Sequence, residues 1–263
     1  MKNPFEIFTQ KPDKAPFKEW ERSRLQGGSA TFFELPEFPD FVIRECLSFK
    51  IKEKGKELTD EEAVAYWSER AKALQGFADR YNIKMAKTRY FFGNRPKFKS
   101  NIPKESNPAL MAMTDKISGK NLQEVSEIDE KMAIEIDQMF SGYFSSLLDS
   151  YNENGYYWAD YGNSQMMYGT VPGEKEPHLY IVDVDPRMEK WDEFSPRGRE
   201  YSFWKEIDWV FDHMEKLEKK YAHGTKQFEN ARKTIAEIIE KMPVPTNETA
   251  IDLREQLMAK IKD

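Results

Sequence analysis

Leu179-Tyr180-Ile181-Val182-Asp183-Val184-Asp185-Pro186 is the stretch on which the reading of this chain turns. Strand alternation places Leu179, Ile181 and Asp183 on one face. A carboxylate that ends an apolar strand is well placed to hold Mg²⁺, because the strand fixes it while the loop beyond leaves it accessible. The plainer alternative is an Asp closing a strand at a turn. Upstream, Gln165–Tyr168 reads as a strand partner, joined to Leu179–Val184 by a Pro/Gly turn.

Working outward, a long helix is expected from about Asp129 to Tyr151, with Met132, Ile136, Met139, Tyr143 and Leu147 as its apolar stripe and Asn152–Gly155 as its end. Tyr156, Tyr157 and Trp158 follow it, and core packing suits them better than ligand stacking. Before it lie strands expected at Met85–Phe92 and Ala109–Thr114, separated by a Pro-, Asn- and Lys-rich loop. The Lys/Arg cluster at 87–104 reads as a solvated loop rather than a phosphate site. A further helix opens at the capping box Thr59-Asp60-Glu61-Glu62, with Val64, Trp67, Ala71, Leu74, Ala78 and Tyr81 repeating every three or four residues. Earlier come a short helix over 17–25, the turn Gly27-Gly28-Ser29-Ala30, a strand Thr31–Leu35, a turn Pro36–Asp40 and a half-buried strand Phe41–Ile51. The end of the chain predicts helices at Phe203–Tyr221, Thr225–Met242 and about Asn247–Ile261. Pro243 and Pro245 close the second of them.

This order of elements resembles the protein-kinase-like fold, including its small-molecule phosphotransferase branches, over about residues 26–190. The resemblance implies an α+β, two-lobed molecule. Residues 1–115 would form a small antiparallel-sheet lobe with one helix, and 116–263 a mainly helical lobe carrying the catalytic and metal loops. It also implies roles for single residues. Asp183 falls on the Asp of the DFG motif, which binds the metal bridging the phosphates of ATP. Val184 and Asp185 replace Phe and Gly there, and Asp185 would be a second carboxylate near the metal. Trp158-Ala159-Asp160-Tyr161-Gly162-Asn163-Ser164-Gln165 resembles the catalytic loop H-R-D-L-x-x-x-N. Asp160 falls on the Asp that orients the acceptor hydroxyl, and Gln165 on the metal-binding Asn. Asn163, two residues early, could substitute for Gln165, and the His and Arg of H-R-D are absent.

Phe41-Val42-Ile43-Arg44 resembles the V-A-I-K strand. Val42 would roof the adenine, and Arg44 would stand where Lys meets the phosphates. An Arg on the solvent side of an edge strand is the other reading. Gly27 and Gly28 resemble the phosphate loop without its full G-x-G-x-x-G pattern. The Glu that the family pairs with the basic strand residue has no counterpart in phase: Glu69 lies off the apolar face of its helix. Leu110 to Leu122 resembles the strand and hinge of the adenine site, although a Met-rich strand is more simply core. No A-P-E motif follows.

Composition bounds these readings. Of the 263 residues, 39% are apolar and 14% aromatic, enough for a sizeable core and too many aromatics for a disordered chain. Forty Lys and Arg against forty-six Asp and Glu give −6, which excludes a dominant basic footprint for nucleic acid. No apolar run reaches membrane-span length and no signal-peptide core opens the chain. The single Cys46 excludes an intrachain disulfide, and three His argue against a His-rich metal centre. The expectation is a cytoplasmic protein binding nucleotide as ATP with Mg²⁺, with an acceptor that is not legible. One hypothesis is a phosphotransferase, with AMP transfer as a variant. The other is a pseudokinase-like binding or regulatory protein, favoured by Arg44, Gln165 and the absent H-R pair.

Overall fold

Thr59 opens the first helix as its sequence predicts. In the computed structural model, Thr59 N–H donates to Glu62 Oε2 at 2.7 Å and Glu62 N–H to Thr59 Oγ1 at 3.3 Å, the two halves of a capping box. The structure describes residues 21–22, 32–34, 38–45, 52–53, 56–94, 108–159, 161–183, 186–221 and 228–262. The fold is α+β with small, mostly antiparallel sheets. The chain forms two units interleaved in sequence. The first comprises Met1–Lys72, Ala86–Ser118 and Val171–Glu174, and the second Ala73–Met85, Gly119–Thr170 and Lys175–Asp263. No helix is long and apolar enough to cross a membrane among the described residues.

In the first unit, strands β1 (Glu21–Arg22), β2 (Phe32–Glu34) and β3 (Phe41–Glu45) precede a short hairpin, β4 (Lys52–Glu53) and β5 (Lys56–Glu57). Helix α1 (Asp60–Arg80) follows and runs, from Ala73 on, into the second unit, which also holds β6 (Lys84–Met85); β7 (Thr88–Asn94) and β8 (Pro108–Asp115) belong to the first. One five-stranded antiparallel sheet has the order β1-β2-β3-β8-β7. Ile43, Leu110, Met111, Ala112 and Met113 are buried in it, as the core reading of the Met-rich strand expects.

Four expectations change here. Glu21 and Arg22 pair with Phe33 and Glu34 as a strand rather than a helix, since a nine-residue helix is marginal without tertiary support. In β3 the adjacent Val42 and Ile43, on opposite faces, are both buried, so both faces are covered there rather than one; 46–51 of the expected strand lie outside the described residues. Met85–Phe92 is two strands: β7 stays with β8, whereas β6 pairs in parallel with a strand of another sheet. On α1 the inward positions are Ala63, Trp67, Leu74 and Ala78; Val64 is only half-buried, so the face begins one residue earlier than its pattern suggests.

The second unit's sheet, which already holds β6, also takes β9 (Ser118–Asn121), which the sequence pattern does not reveal. Helix α2 (Glu130–Glu153) is capped by Asp129, whose side chain accepts Met132 N–H at 2.8 Å. It ends at Asn154 in the left-handed region, φ 55°. Its expected stripe, Met132, Ile136, Met139, Tyr143 and Leu147, is buried throughout. Next come β10 (Tyr156–Trp158), a short 3-10 turn Asn163–Gln165, and the hairpin β11 (Met166–Thr170) and β12 (His178–Ile181), followed by β13 (Met188–Lys190). The order β6-β12-β11-β9 makes one sheet, and β10 with β13 a separate antiparallel ribbon.

Helices α3 (Pro196–Glu218), α4 (Glu229–Lys241) and α5 (Glu248–Lys262) complete the unit. Helix α3 starts earlier than its apolar pattern, because Ser195 caps it, accepting Gly198 N–H at 3.2 Å, and Pro196 suits its first turn. The core they close is aromatic: Tyr157 stacks on Trp191 with ring centroids 3.8 Å apart, and Phe140 lies against Phe144, Tyr161 and Phe228.

Candidate functional site

Register along the β11–β12 hairpin fixes how two of the expected site residues, Gln165 and Asp183, stand to each other. Met166 stands opposite Ile181, and beyond that pair Val182 N–H donates to the Gln165 carbonyl at 2.8 Å. Gln165 is therefore across the strands from Val182, and strand alternation puts it on the face of Val182 rather than that of Asp183. Gln165 is half-buried. Asp183 is only 2% exposed, so the strand end buries a carboxylate that the sequence expects to be accessible. A buried carboxylate needs hydrogen-bond donors, and Asp183 Oδ2 accepts Trp158 Nε1–H at 2.9 Å.

Trp158 belongs to the β10–β13 ribbon, opposite Met188. The ribbon runs on past the pair, with Ala159 N–H donating to the Arg187 carbonyl at 2.8 Å. The Trp158 carbonyl lies 2.7 Å from Tyr143 Oη, and Tyr143 Oη lies 2.9 Å from Glu206 Oε1 on α3. The single phenolic proton is shared between two acceptors. Burial drives the Tyr143 hydroxyl well above the usual phenol range, and the nearby Glu206 adds to the effect, so Tyr143 stays a neutral donor. Glu206, Tyr143, Trp158 and Asp183 thus form one buried polar chain inside the second unit.

Asn163 is not available to replace Gln165. It is buried, its Nδ2–H donates to the His213 carbonyl at 3.3 Å, and its Oδ1 faces the Tyr161 hydroxyl, so its carboxamide anchors the 3-10 turn to α3. Arg44 and Val42 lie on β3 of the first unit, where Arg44 pairs with Phe32 and Ala112. That strand is interior, which removes the edge-strand reading of Arg44. Glu69 is exposed on α1. Gly27, Gly28, Asp160 and Asp185 lie outside the described residues.

Among the described residues no group of three or more His, Cys, Asp or Glu side chains is gathered to hold a metal. Mg²⁺ needs no such cage, because it is commonly held by one or two carboxylates, waters and the phosphates of its nucleotide. Asp183 offers oxygen donors of the type it prefers, but it is nearly inaccessible and its Oδ2 is already engaged by the Trp158 indole, so the described residues do not form a ready Mg²⁺ site. Sequence reasoning missed Trp158 and Glu206 as site-supporting residues. A signal for Glu206 existed: it interrupts the apolar run Phe203, Trp204, Ile207, Val210, where a buried acid requires a partner. A separate cavity of about 180 Å³ is lined by Phe77, Tyr81, Tyr143, Tyr156 and Trp158, with Arg80 and Glu153, and includes neither Asp183 nor Gln165. No known protein family matches the chain, and no curated protein is significantly similar to it.

Proposed function

We propose that the chain is an ATP/Mg²⁺-dependent phosphotransferase with a two-lobed, protein-kinase-like arrangement. The observation that supports the reading is the order of elements: a strand bearing Arg44, a helix, two paired strands, a connector, a long helix, a loop, a hairpin and then Asp183. Asp183 and Gln165 would hold the metal, with Asp185 close in sequence. Val42, Arg44, Gly27 and Gly28 are assigned to the nucleotide, Arg44 through its phosphates. Bound magnesium would neutralise charge on the phosphates. Asp160 is assigned to the acceptor hydroxyl and acts as the acceptor attacks.

A second reading, a pseudokinase-like binding protein, is favoured by the burial of Asp183 and its engagement by an indole. Thermal unfolding with and without nucleotides and Mg²⁺ tests the shared premise, because a ligand stabilises only the state that binds it. ATP with Mg²⁺ should raise the midpoint of the wild type, and Asp183→Ala should lose the Mg²⁺-dependent part. Asp160→Ala should keep nucleotide binding and lose transfer of labelled phosphate. No stabilisation of the wild type by any nucleotide sinks both readings. Binding without transfer to any acceptor favours the second.

A further inference from the structure

We propose that the cavity between α1, α2 and β10 is a binding site for a small neutral aromatic ligand, a single ring with one polar substituent. The site does not rest on the nucleotide reading, and every residue that lines it belongs to the second unit.

Helix α1 brings Ala73, Gly76, Phe77 and Arg80 to the cavity, the i, i+3, i+4, i+7 spacing of one helix face. Six aromatic residues line it: Phe77, Tyr81, Tyr143, Tyr156, Tyr157 and Trp158. Four of them have their polar atoms engaged by the protein. Tyr81 Oη donates to Asp149 at 2.7 Å and Tyr157 Oη to Glu189 at 2.9 Å. Tyr143 Oη lies 2.7 Å from the Trp158 carbonyl, and Trp158 Nε1–H donates to Asp183 at 2.9 Å. These residues therefore offer the cavity ring surface rather than hydrogen-bonding groups. Water has few partners against such a lining, and an apolar guest displaces it readily. The same bonds hold the walls in place before a ligand arrives. Tyr157 also stacks on Trp191, with centroids 3.8 Å apart, and Tyr81 lies so close to α2 that a Cβ at Gly142 would come within 2.8 Å of it. Walls already fixed need little further ordering on binding.

Size and charge narrow the guest. The cavity measures about 180 Å³. A dry cavity of about 150 Å³ holds benzene, whereas drug-sized ligands need about 300 Å³ or more. Ring walls favour an aromatic guest through edge-to-face and offset contacts. A cationic guest is disfavoured, because the protein's own cations already sit on these rings. Lys190 Nζ is 4.4 Å from the Tyr156 centroid, and the Arg80 guanidinium carbon is 5.6 Å from that of Tyr81. An anionic guest is disfavoured too, since Arg80 pairs with Asp149 at 2.9 Å and the remaining charge on the lining is the exposed carboxylate of Glu153. Gly76 supplies the opening. It is exposed inside α1, and an added Cβ would meet no atom within 4 Å. No neighbour requires a glycine there, although glycine weakens a helix interior.

The experiment titrates the full chain with para-fluorophenol at neutral pH, followed by fluorine NMR, with tetramethylammonium as competitor. The wild type should bind the probe saturably, and tetramethylammonium should not displace it. Gly76→Leu puts a side chain into the opening where no atom stands in its way. It should weaken binding by at least about tenfold while the melting midpoint stays level or rises. Ser146→Leu fills the cavity from the α2 wall, should weaken binding likewise, and takes the place of Gly76→Leu should that variant not fold. A wild type that binds no probe saturably overturns the proposal. So does unchanged affinity in either folded variant, which would put the probe elsewhere on the molecule. Displacement by tetramethylammonium at the concentrations the phenol itself needs would make the cavity a cation site, and that also overturns the neutral aromatic class.

Discussion

Asp137, Asp183, Glu206 and Glu218 are carboxylates buried in the second unit, and each is held by residues outside its own element. Asp137 on α2 accepts Asn230 N–H, Asn230 Nδ2–H and Ala231 N–H at 3.2, 2.8 and 2.9 Å, so it caps the start of α4 from outside that helix. Glu218 accepts Phe228 N–H and pairs with Arg232, each at 2.7 Å, just ahead of the same turn. Free N–H groups and the helix dipole both favour an anion there. Asp137→Ala should therefore lower unfolding stability by about 3 kcal/mol, with Asp137→Asn recovering part of the loss. Urea unfolding of both variants measures it, and a loss below about 0.5 kcal/mol would place Asp137 among ordinary surface residues. The sequence made Asp183 visible because it ends an apolar strand. Asp137 was invisible because its partners lie 93 and 94 positions away. Trp158 was legible as core but not as a donor, since its acceptor lies 25 positions on.

Elements were legible where a local signal sets them. The Thr59 capping box and the stripe of α2 need only neighbours in sequence. Strands β9, β10 and β13 have four, three and three residues, too few for alternation to register, and pairing partners decide them. Gly119 on β9 shows how tight that pairing is. A Cβ there would run into the Tyr168 carbonyl and come within 2.6 Å of Gly169 Cα, both backbone atoms of β11. Backbone held in a sheet cannot withdraw as a side chain can, so Gly119→Ala should cost at least about 2 kcal/mol. It should also weaken hydrogen-exchange protection along Met166–Thr170. Gly76 is the control. It lies inside α1 with no atom within 4 Å of an added Cβ, so Gly76→Ala should stabilise by about 0.5–1 kcal/mol through helix propensity alone. A neutral Gly119→Ala would show that β9 yields to β11, and a destabilising Gly76→Ala would show that the space around it is occupied.

At the scale of the molecule, an aromatic content of 14% foretold a large core, but not how many phenols it would hold neutral. Burial raises the Tyr81, Tyr143, Tyr157 and Tyr161 hydroxyls above the usual phenol range, with carboxylates adding to the first three. Burial also takes Tyr168 up to about 12, helped by Glu135. In the unfolded chain these groups ionise near their ordinary value of about 10. Below that pH both states carry the protons, and the tyrosines make no difference to the pH dependence. Above it the unfolded state has released protons that the folded state still binds, so stability falls as pH rises toward the folded values. The unfolding midpoint in urea should thus be insensitive to these groups between about pH 7 and 9 and drop steeply above about 10. Tyrosinate absorbance should then rise together with the loss of far-ultraviolet circular dichroism. The buried phenols contact one another and Trp158, as Tyr143 does with Tyr161 at 5.2 Å and with Trp158 at 6.2 Å, so they should ionise as a group when the core opens. All the tyrosines titrating near 10 with circular dichroism intact would mean that water already reaches this core, and the buried chain from Glu206 to Asp183 could not then be dry.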